Sequence, residues 1–241
     1  MTQALFDKYY PKDQYEGGTI PFLRLCANEI TPGSRILEIG AGPENPFSEF
    51  LSQRGAVTGI DVSPEVRTNQ WLSDAVVFDG RQMPFPDSSF DACCSNWVLE
   101  HVEDPAAHFR EVARILRPGG VYCFRTPNLY HYVPMGARLL PFFMHLNLAN
   151  RLRAQQEFAH DPYPTFYRAN TRSALRRLCS RAGFDEPSIR MIEAEPSYGA
   201  AHALLFYPMM MYERIVNRFE FTACFRITML AAVRKGSGGT N

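Results

Sequence analysis

Arg35-Ile36-Leu37-Glu38-Ile39-Gly40-Ala41-Gly42 is an apolar run that carries one acid and stops at two glycines, and Asp61 follows 19 residues after Gly42. Ile36, Leu37 and Ile39 predict a short strand buried on both faces, because a parallel sheet favours near-continuous apolar runs. Gly40 and Gly42 can take positive φ and carry no Cβ, so a ligand can press against the main chain there. The place is the C-terminal edge of a strand, where open α/β sheets bind ligands. A second apolar run, Ala56 to Ile60, ends at Asp61. From that position a carboxylate accepts hydrogen bonds from both hydroxyls of an adenosine ribose. Two strands thus each deliver one part of a nucleoside site.

The same string separates two cofactor classes. A dinucleotide site uses G-x-G-x-x-G, with the third glycine permitting close helix packing and a helix N-terminus facing a pyrophosphate. Here the string is Gly40-Ala41-Gly42-Pro43-Glu44-Asn45. The third glycine is absent, and Glu44 would put negative charge where a pyrophosphate would sit. Glu38, two residues before the first glycine, suits a cationic group such as an amino acid's ammonium. The pattern disfavours an anionic cofactor and fits a zwitterionic one.

With these residues the chain resembles a class I S-adenosylmethionine (SAM) dependent methyltransferase of the small-molecule branch. Glu38, Gly40 and Gly42, with Ala41 between the glycines, match the family's first motif, and Asp61, followed by Val62, matches the acid ending the second strand. Asp79-Gly80-Arg81-Gln82-Met83-Pro84-Phe85 resembles the family's D-x-x-x-L-P-F segment. The resemblance implies that Asp79 meets the adenine amino group while Gly80 and Arg81 line the ring. Phe90-Asp91 through Asn96 and on to Pro105 resembles the fourth strand and the loop beneath the methyl group. Arg114 to Gly120, leading into Val121-Tyr-Cys-Phe-Arg-Thr-Pro-Asn128, resembles the helix, turn and strand that follow. Pro43-Glu44 departs from the small residue that many members carry. The implied fold is α/β: a Rossmann-like, seven-stranded, mostly parallel sheet with helices on both faces, an antiparallel final strand and helical lid insertions.

Composition agrees with an enzyme of this kind. The 241 residues suffice for one α/β domain, and 46% apolar with 21% charged residues is a globular balance. Formal net charge is zero, which gives no electrostatic grip on nucleic acid. The six cysteines, Cys26, Cys93, Cys94, Cys123, Cys179 and Cys224, lack C-x-x-C spacing and read as buried thiols in a reducing compartment, with no metal expected. The first residues mix Asp7 and Lys8 with aromatics rather than forming a signal peptide, and no apolar run reaches the roughly 20 residues that span a bilayer. A cytoplasmic location is expected.

One methyltransferase domain is expected over residues 1–241: a helical lid at 1–30, a cofactor-binding half at 31–126, a substrate lid insertion at 127–170, the rest of the sheet at 171–235 and a flexible tail at 236–241. Strands are predicted near 35–39, 56–60, 75–78, 90–95, 120–126, 187–194 and 222–233. Helices are predicted at 105–116 and 171–182, closed by Pro118-Gly119 and Gly183. The lid insertion carries Tyr130, His131, Tyr132, Phe142, Phe143, His145, Phe158, His160, Tyr163, Phe166 and Tyr167. These rings either pack the lid onto the sheet or cover an apolar or aromatic acceptor. An apolar excursion at 196–220 includes Leu204 to Ile215 and reads as core or a homodimer contact, with a peripheral membrane surface or lipid-like acceptor as the alternative.

The cofactor dictates the chemistry. SAM carries its methyl on a sulfonium, so transfer to a nucleophile is an in-line displacement in which positioning and exclusion of water do much of the work. A base is needed only for a poorly ionised acceptor. His101 is the candidate nearest in sequence to the methyl site, with Tyr130 and His131 as candidates on the acceptor side. Asn96 is expected to contact the cofactor's methionine part or the acceptor. Ser95-Asn96-Trp97-Val98 does not match the N-P-P-[FYW] signature of amino-methylating nucleic-acid and protein enzymes, which leaves a small-molecule acceptor. A catalytically silent SAM-binding module shares the cofactor half, and a nicotinamide-dependent oxidoreductase shares only the strand and turn.

Overall fold

The computed structural model describes residues 2–11, 18–139, 163–194 and 203–236. Tyr15, the lid residues Phe142, Phe143, His145, Phe158 and His160, the stretch 196–202 and the tail 237–241 lie outside the described residues. In order, the elements are α1 (Thr2–Tyr9), α2 (Thr19–Glu29), β1 (Ser34–Ile39), α3 (Pro46–Ser52), β2 (Gly55–Asp61), β3 (Asp74–Val77), β4 (Phe90–Asn96), α4 (Pro105–Ile115), β5 (Leu116–Pro127), α5 (Tyr132–Leu139), α6 (Arg172–Arg181), β6 (Ser188–Ile192), α7 (Ala203–Arg218) and β7 (Thr228–Arg234).

The strands form one seven-stranded sheet in the order β3-β2-β1-β4-β5-β7-β6. β1 pairs in parallel with β2 on one side and β4 on the other, and Glu38 lies level with Gly59 and Cys94. The final strands supply the antiparallel edge. Ile36, Leu37 and Ile39 are all buried, as a strand covered on both faces requires. Because the chain runs outward from β1 through β2 to β3 and then crosses to β4 on the other side of β1, the C-terminal end of β1 is a topological switch point, the crevice where such sheets take ligands.

The chain divides into two compact units. One holds Phe22–Thr126, Thr165–Arg190 and Leu230–Asn241. Its core includes Leu37, Val57, Phe109, Tyr122 and Phe124, with the Phe109 ring 5.8 Å from Tyr122 and 5.9 Å from Phe124. Helix α4 starts where its sequence says it should: Asp104 accepts from the Ala107 N–H at 3.0 Å and Pro105 opens the first turn. Thr171 caps α6 in the same way through the Ala174 N–H, and Gly183 at φ +83° follows its end.

The other unit holds Met1–Pro21, Pro127–Pro164 and Met191–Met229. Within it the Tyr10 hydroxyl donates to Glu213 Oε2 at 3.0 Å and the Tyr10 and Phe206 rings meet edge to face at 6.2 Å. Asn128 Nδ2 donates to the carbonyls of Cys224 (2.6 Å) and Arg226 (2.8 Å).

Two boundaries differ from the sequence expectation. β5 starts at Leu116 rather than 120, directly after α4, because Leu116 pairs with Phe90 and the register then shifts before Ala92. The glycine turn is drawn into the sheet from far along the chain: the Gly119 N–H donates to the Lys235 carbonyl (2.9 Å) and the Lys235 N–H to the Gly120 carbonyl (2.8 Å). The last strand starts at Thr228 rather than 222, since Glu220–Phe225 coils into a 3-10 turn. Arg226 fixes that turn by donating to the Val216 carbonyl (2.9 Å) and to Glu220 (3.0 Å).

Candidate functional site

At the end of β1, Gly40 takes φ +71° and Gly42 φ +55°. A Cβ on Gly40 would overlap Val98 Cγ2, so glycine is required there for space as well as conformation. A Cβ on Gly42 would meet open space, so the turn presents bare main chain to whatever lies beyond it. Asp61, at the end of the neighbouring strand, binds both loops: Oδ2 accepts from the Gly42 N–H (2.9 Å) and Oδ1 from the Ser63 N–H (2.8 Å). A carboxylate oxygen has two lone pairs, so both oxygens keep acceptor capacity for a vicinal diol. The cradle of glycine turn plus Asp61 therefore fits the nucleoside part of SAM.

Glu38 is buried, and Ser48 Oγ donates to its Oε2 at 2.7 Å. Ser48 in turn accepts from Asn45 Nδ2 (2.9 Å) and Asn69 Nδ2 (2.8 Å). Burial pushes the Glu38 carboxyl up to about 8, with the charge of Asp61 adding to the effect and Ser48 opposing it. Such a carboxyl is primed to release its proton to solvent as a cation approaches, because a positive neighbour reverses the penalty that burial imposes. Asn45 also caps α3 by accepting from the Phe47 and Ser48 N–H groups, with Pro46 at the first helical position.

After β3, the Asp79 side chain accepts from the Arg81 N–H at 2.9 Å across Gly80, which has φ +79°. A groove of about 490 Å³ runs past Asp79 and is lined by Val77, Phe78, Gln82, Met83, Pro84, Phe85 and Arg114. Arg114 clamps the motif's second half by donating to the carbonyls of Phe85 (2.7 Å) and Met83 (3.0 Å). Glu111 and Asp87 hold its guanidinium at 2.9 Å each and raise its pKa further. Val62 and Arg81 are exposed.

At the end of β4, Asn96 Oδ1 accepts from Arg125 Nε. The buried Arg125 guanidinium lies between two rings, 5.0 Å from the centroid of Trp97 and 5.3 Å from that of Phe22. Burial lowers the Arg125 pKa to about 10. Trp97 sits at φ +59°, a left-handed backbone unusual for a bulky residue, and its N–H donates to the Arg125 carbonyl (3.1 Å). Next comes the turn Leu99–His101, with His101 half-buried at its end. Glu100 is buried; Thr126 Oγ1 donates to it at 3.1 Å and accepts from Asn170 Nδ2 at 2.7 Å. Burial pushes Glu100 up to about 7.

Glu38, Gly40, Gly42 and Asp61 are thus joined through β1, β2 and their loops, Asp79 to Arg81 form the loop after β3, and Asn96 ends β4 with Trp97 to His101 in the loop that follows. Tyr130 and His131 belong to the other compact unit. There Tyr130 is exposed, whereas His131 is buried with Nε2 3.2 Å from Glu193 Oε1 and Nδ1 accepting from the Val133 N–H at 3.2 Å. Its ring packs on Tyr132 (4.0 Å) and Tyr212 (5.5 Å). Sequence reasoning missed Ser48, Asn69, Glu100, Arg114 and Arg125. Of these only Ser48 had a local signal, the Asn45-Pro46 helix start; the others act through partners distant in sequence. Among the described residues no group of His, Cys, Asp and Glu is arranged to hold a metal, and Cys26, Cys93, Cys94, Cys123 and Cys179 are buried free thiols.

Comparison with known proteins agrees with this geometry. Residues 37–124 match a family model described as a methyltransferase domain. The ubiquinone biosynthesis O-methyltransferase of Xanthomonas campestris pv. campestris is 36% identical over 135 residues, 48% of this chain and 56% of that protein. The chain spans about half the length of the curated relatives it matches. Among solved structures, a SAM-dependent methyltransferase from Methanosarcina mazei has a TM-score of 0.56 at 20% identity, covering 89% of this chain and 98% of the other. The [4+2]-cyclase SpnF has a TM-score of 0.58 at 19% identity, covering 93% and 86%. These two likenesses concern the fold alone. The matched motifs, the sheet order and the glycine turn tied to Asp61 agree, and residues 37–124 are similar to the methyltransferase domain of class I SAM-dependent enzymes.

Proposed function

We propose that the protein transfers a methyl group from SAM to a small-molecule acceptor, an oxygen or nitrogen nucleophile of a natural product, glycan or lipid-like metabolite. The observation that carries this reading is the Asp61 carboxylate bonded to the Gly42 N–H beside a turn whose glycines leave main chain bare. When bound, SAM supplies a methyl already activated by its sulfonium. Asp61 holds the ribose hydroxyls, and Asp79, Gly80 and Arg81 border the adenine with Val62. Glu38 takes the ammonium end, its buried carboxyl losing its proton as the cation arrives. Gly40 and Ala41 contribute main-chain contact, and Asn96, fixed by Arg125, faces the methionine part or the acceptor. His101 is the base where the acceptor needs one, and Tyr130 and His131 are the acceptor-side residues. A cytoplasmic location belongs to the same reading and is supported by the buried free thiols.

Calorimetry with SAM, with its demethylated product and with NAD tests the cofactor assignment. SAM and the product should bind and NAD should not; binding of NAD alone would sink the reading. Transfer of isotopically labelled methyl to a panel of phenols, amines and carboxylic acids, followed by mass spectrometry, then separates an enzyme from a silent SAM-binding module.

A further inference from the structure

Glu38, Ser48 and Asn69 are buried together, and Asn45 opens α3 beside them. The side-chain amide of Asn45 fits one way round. Its Oδ1 accepts from the N–H groups of Phe47 (2.9 Å) and Ser48 (3.0 Å), while its Nδ2 donates to the carbonyls of Ala41 (2.8 Å) and Pro43 (3.0 Å). Asn69 is fixed in the same manner, with Oδ1 accepting from the Trp71 N–H and Nδ2 donating to the Pro43 carbonyl, each at 3.2 Å. Exchanging oxygen and nitrogen in either amide would set acceptor against acceptor and donor against donor.

Both Nδ2 groups also reach Ser48 Oγ, Asn45 at 2.9 Å and Asn69 at 2.8 Å. A hydroxyl has two lone pairs and one hydrogen. With both lone pairs taken by amide donors, the hydrogen is left for Glu38 Oε2, 2.7 Å away. In the neutral carboxyl the acidic proton therefore sits on Oε1, because Oε2 already faces the hydrogen of Ser48. Among the described residues no other side chain is hydrogen-bonded to Glu38. The titratable groups that face it from the neighbouring strands are Asp61 on β2 and Cys94 on β4, and neither supplies a positive charge. A cation must come from a ligand, and Oε1 is the oxygen that exchanges its proton for it.

We propose that Ser48 is a positioning residue for the ammonium end of the cofactor: locked by Asn45 and Asn69, its hydroxyl fixes Glu38 Oε2 and so leaves Oε1 to the cation. This rests on the SAM reading of the site. The same two amides brace the glycine turn at Ala41 and Pro43, so a purely structural Ser48 would serve the turn instead. Removing Oγ leaves Asn45 both of its carbonyl partners and Asn69 the Pro43 carbonyl. The turn's own bonds thus survive loss of the hydroxyl, and the bond to Glu38 does not.

Calorimetry of the full chain with SAM and with methylthioadenosine separates the two roles, because the second ligand keeps the nucleoside and lacks the ammonium. Ser48→Ala should weaken SAM about tenfold, in line with the loss of one hydrogen bond to a charged group, and leave methylthioadenosine within about twofold. Asn69→Ala, which removes one of the two locks, should likewise cost SAM more than methylthioadenosine. In the wild type, SAM affinity should rise severalfold from pH 6.5 to 7.5, since a carboxyl raised to about 8 by burial must lose its proton to bind the cation, while methylthioadenosine affinity stays level. Equal losses for both ligands in Ser48→Ala, unchanged SAM affinity in that variant, or a wild-type SAM affinity that is flat across this range overturns the proposal. A wild type that binds neither ligand overturns the SAM reading and the proposal with it, whereas one that binds both, with equal losses in the variant, strikes only the role of Ser48.

Discussion

Asp61 concentrates more of the site than any other side chain. Its two oxygens join the loop after β1 to the loop after β2, through Gly42 and Ser63, before any ribose is held. Asp61→Ala removes both charge-assisted bonds and the acceptors for the diol. At about 1.5–3 kcal/mol for a hydrogen bond to a charged group, SAM affinity should fall tenfold to a hundredfold or more. Calorimetry measures it directly, and affinity within threefold of the wild type would remove Asp61 from the cofactor site. The acid was legible in the sequence because its place at the end of an apolar run is a local pattern. Arg125 was not, because its meaning depends on Asn96, Trp97 and Phe22, which only the sheet brings together.

Among the elements, the β1 turn shows how two glycines of one motif differ physically. Both hold positive φ, but only Gly40 would also place a Cβ into Val98. Gly42→Ala carries the backbone strain alone, about 1 kcal/mol, whereas Gly40→Ala adds a steric clash at a packed position and should cost about 2–4 kcal/mol. Urea unfolding of the two variants checks the order, and equal destabilisation would mean that Val98 moves aside freely. The strands themselves were legible from apolar runs between turn residues, because β1, β2 and β4 are buried on the sheet's interior. Boundaries set by distant chain were not. Leu116 joins β5 because Phe90 awaits it, and the bonds of Gly119 and Gly120 to Lys235 cross 115 or more residues. The 3-10 turn at Glu220–Phe225 likewise depends on the reach of Arg226 to Val216. On the acceptor side the sequence offered rings without a period, and such residues serve packing and recognition equally well.

For the whole molecule, the buried titratable groups combine into one stability curve against pH. Glu38 is raised from 4.5 to about 8 and Glu100 from 4.5 to about 7, both chiefly by burial. A carboxyl raised in the folded state stabilises fully below its unfolded pKa, and that contribution is lost as pH rises through the folded value. His108, bonded to the Tyr122 hydroxyl at 3.0 Å, is lowered by burial from 6.5 to about 4 and acts in the opposite sense. It favours unfolding between those values and is silent above the upper one. From pH 4.5 to 6.5 the histidine therefore offsets one of the two carboxyls; between 6.5 and 7 both carboxyls act unopposed, and between 7 and 8 Glu38 acts alone. Each unbalanced proton contributes a slope of at most about 1.4 kcal/mol per pH unit. The cofactor-free chain should thus lose stability steadily from weakly acidic to weakly basic pH, most steeply just below neutrality. The double variant Glu38→Gln with Glu100→Gln leaves only the histidine, so its stability should instead rise with pH through the acidic range and level off near neutrality. Urea unfolding of both proteins at matched ionic strength reads the two slopes, and a wild type whose stability is flat or rises between pH 6.5 and 8 would show that neither carboxyl is held neutral by burial.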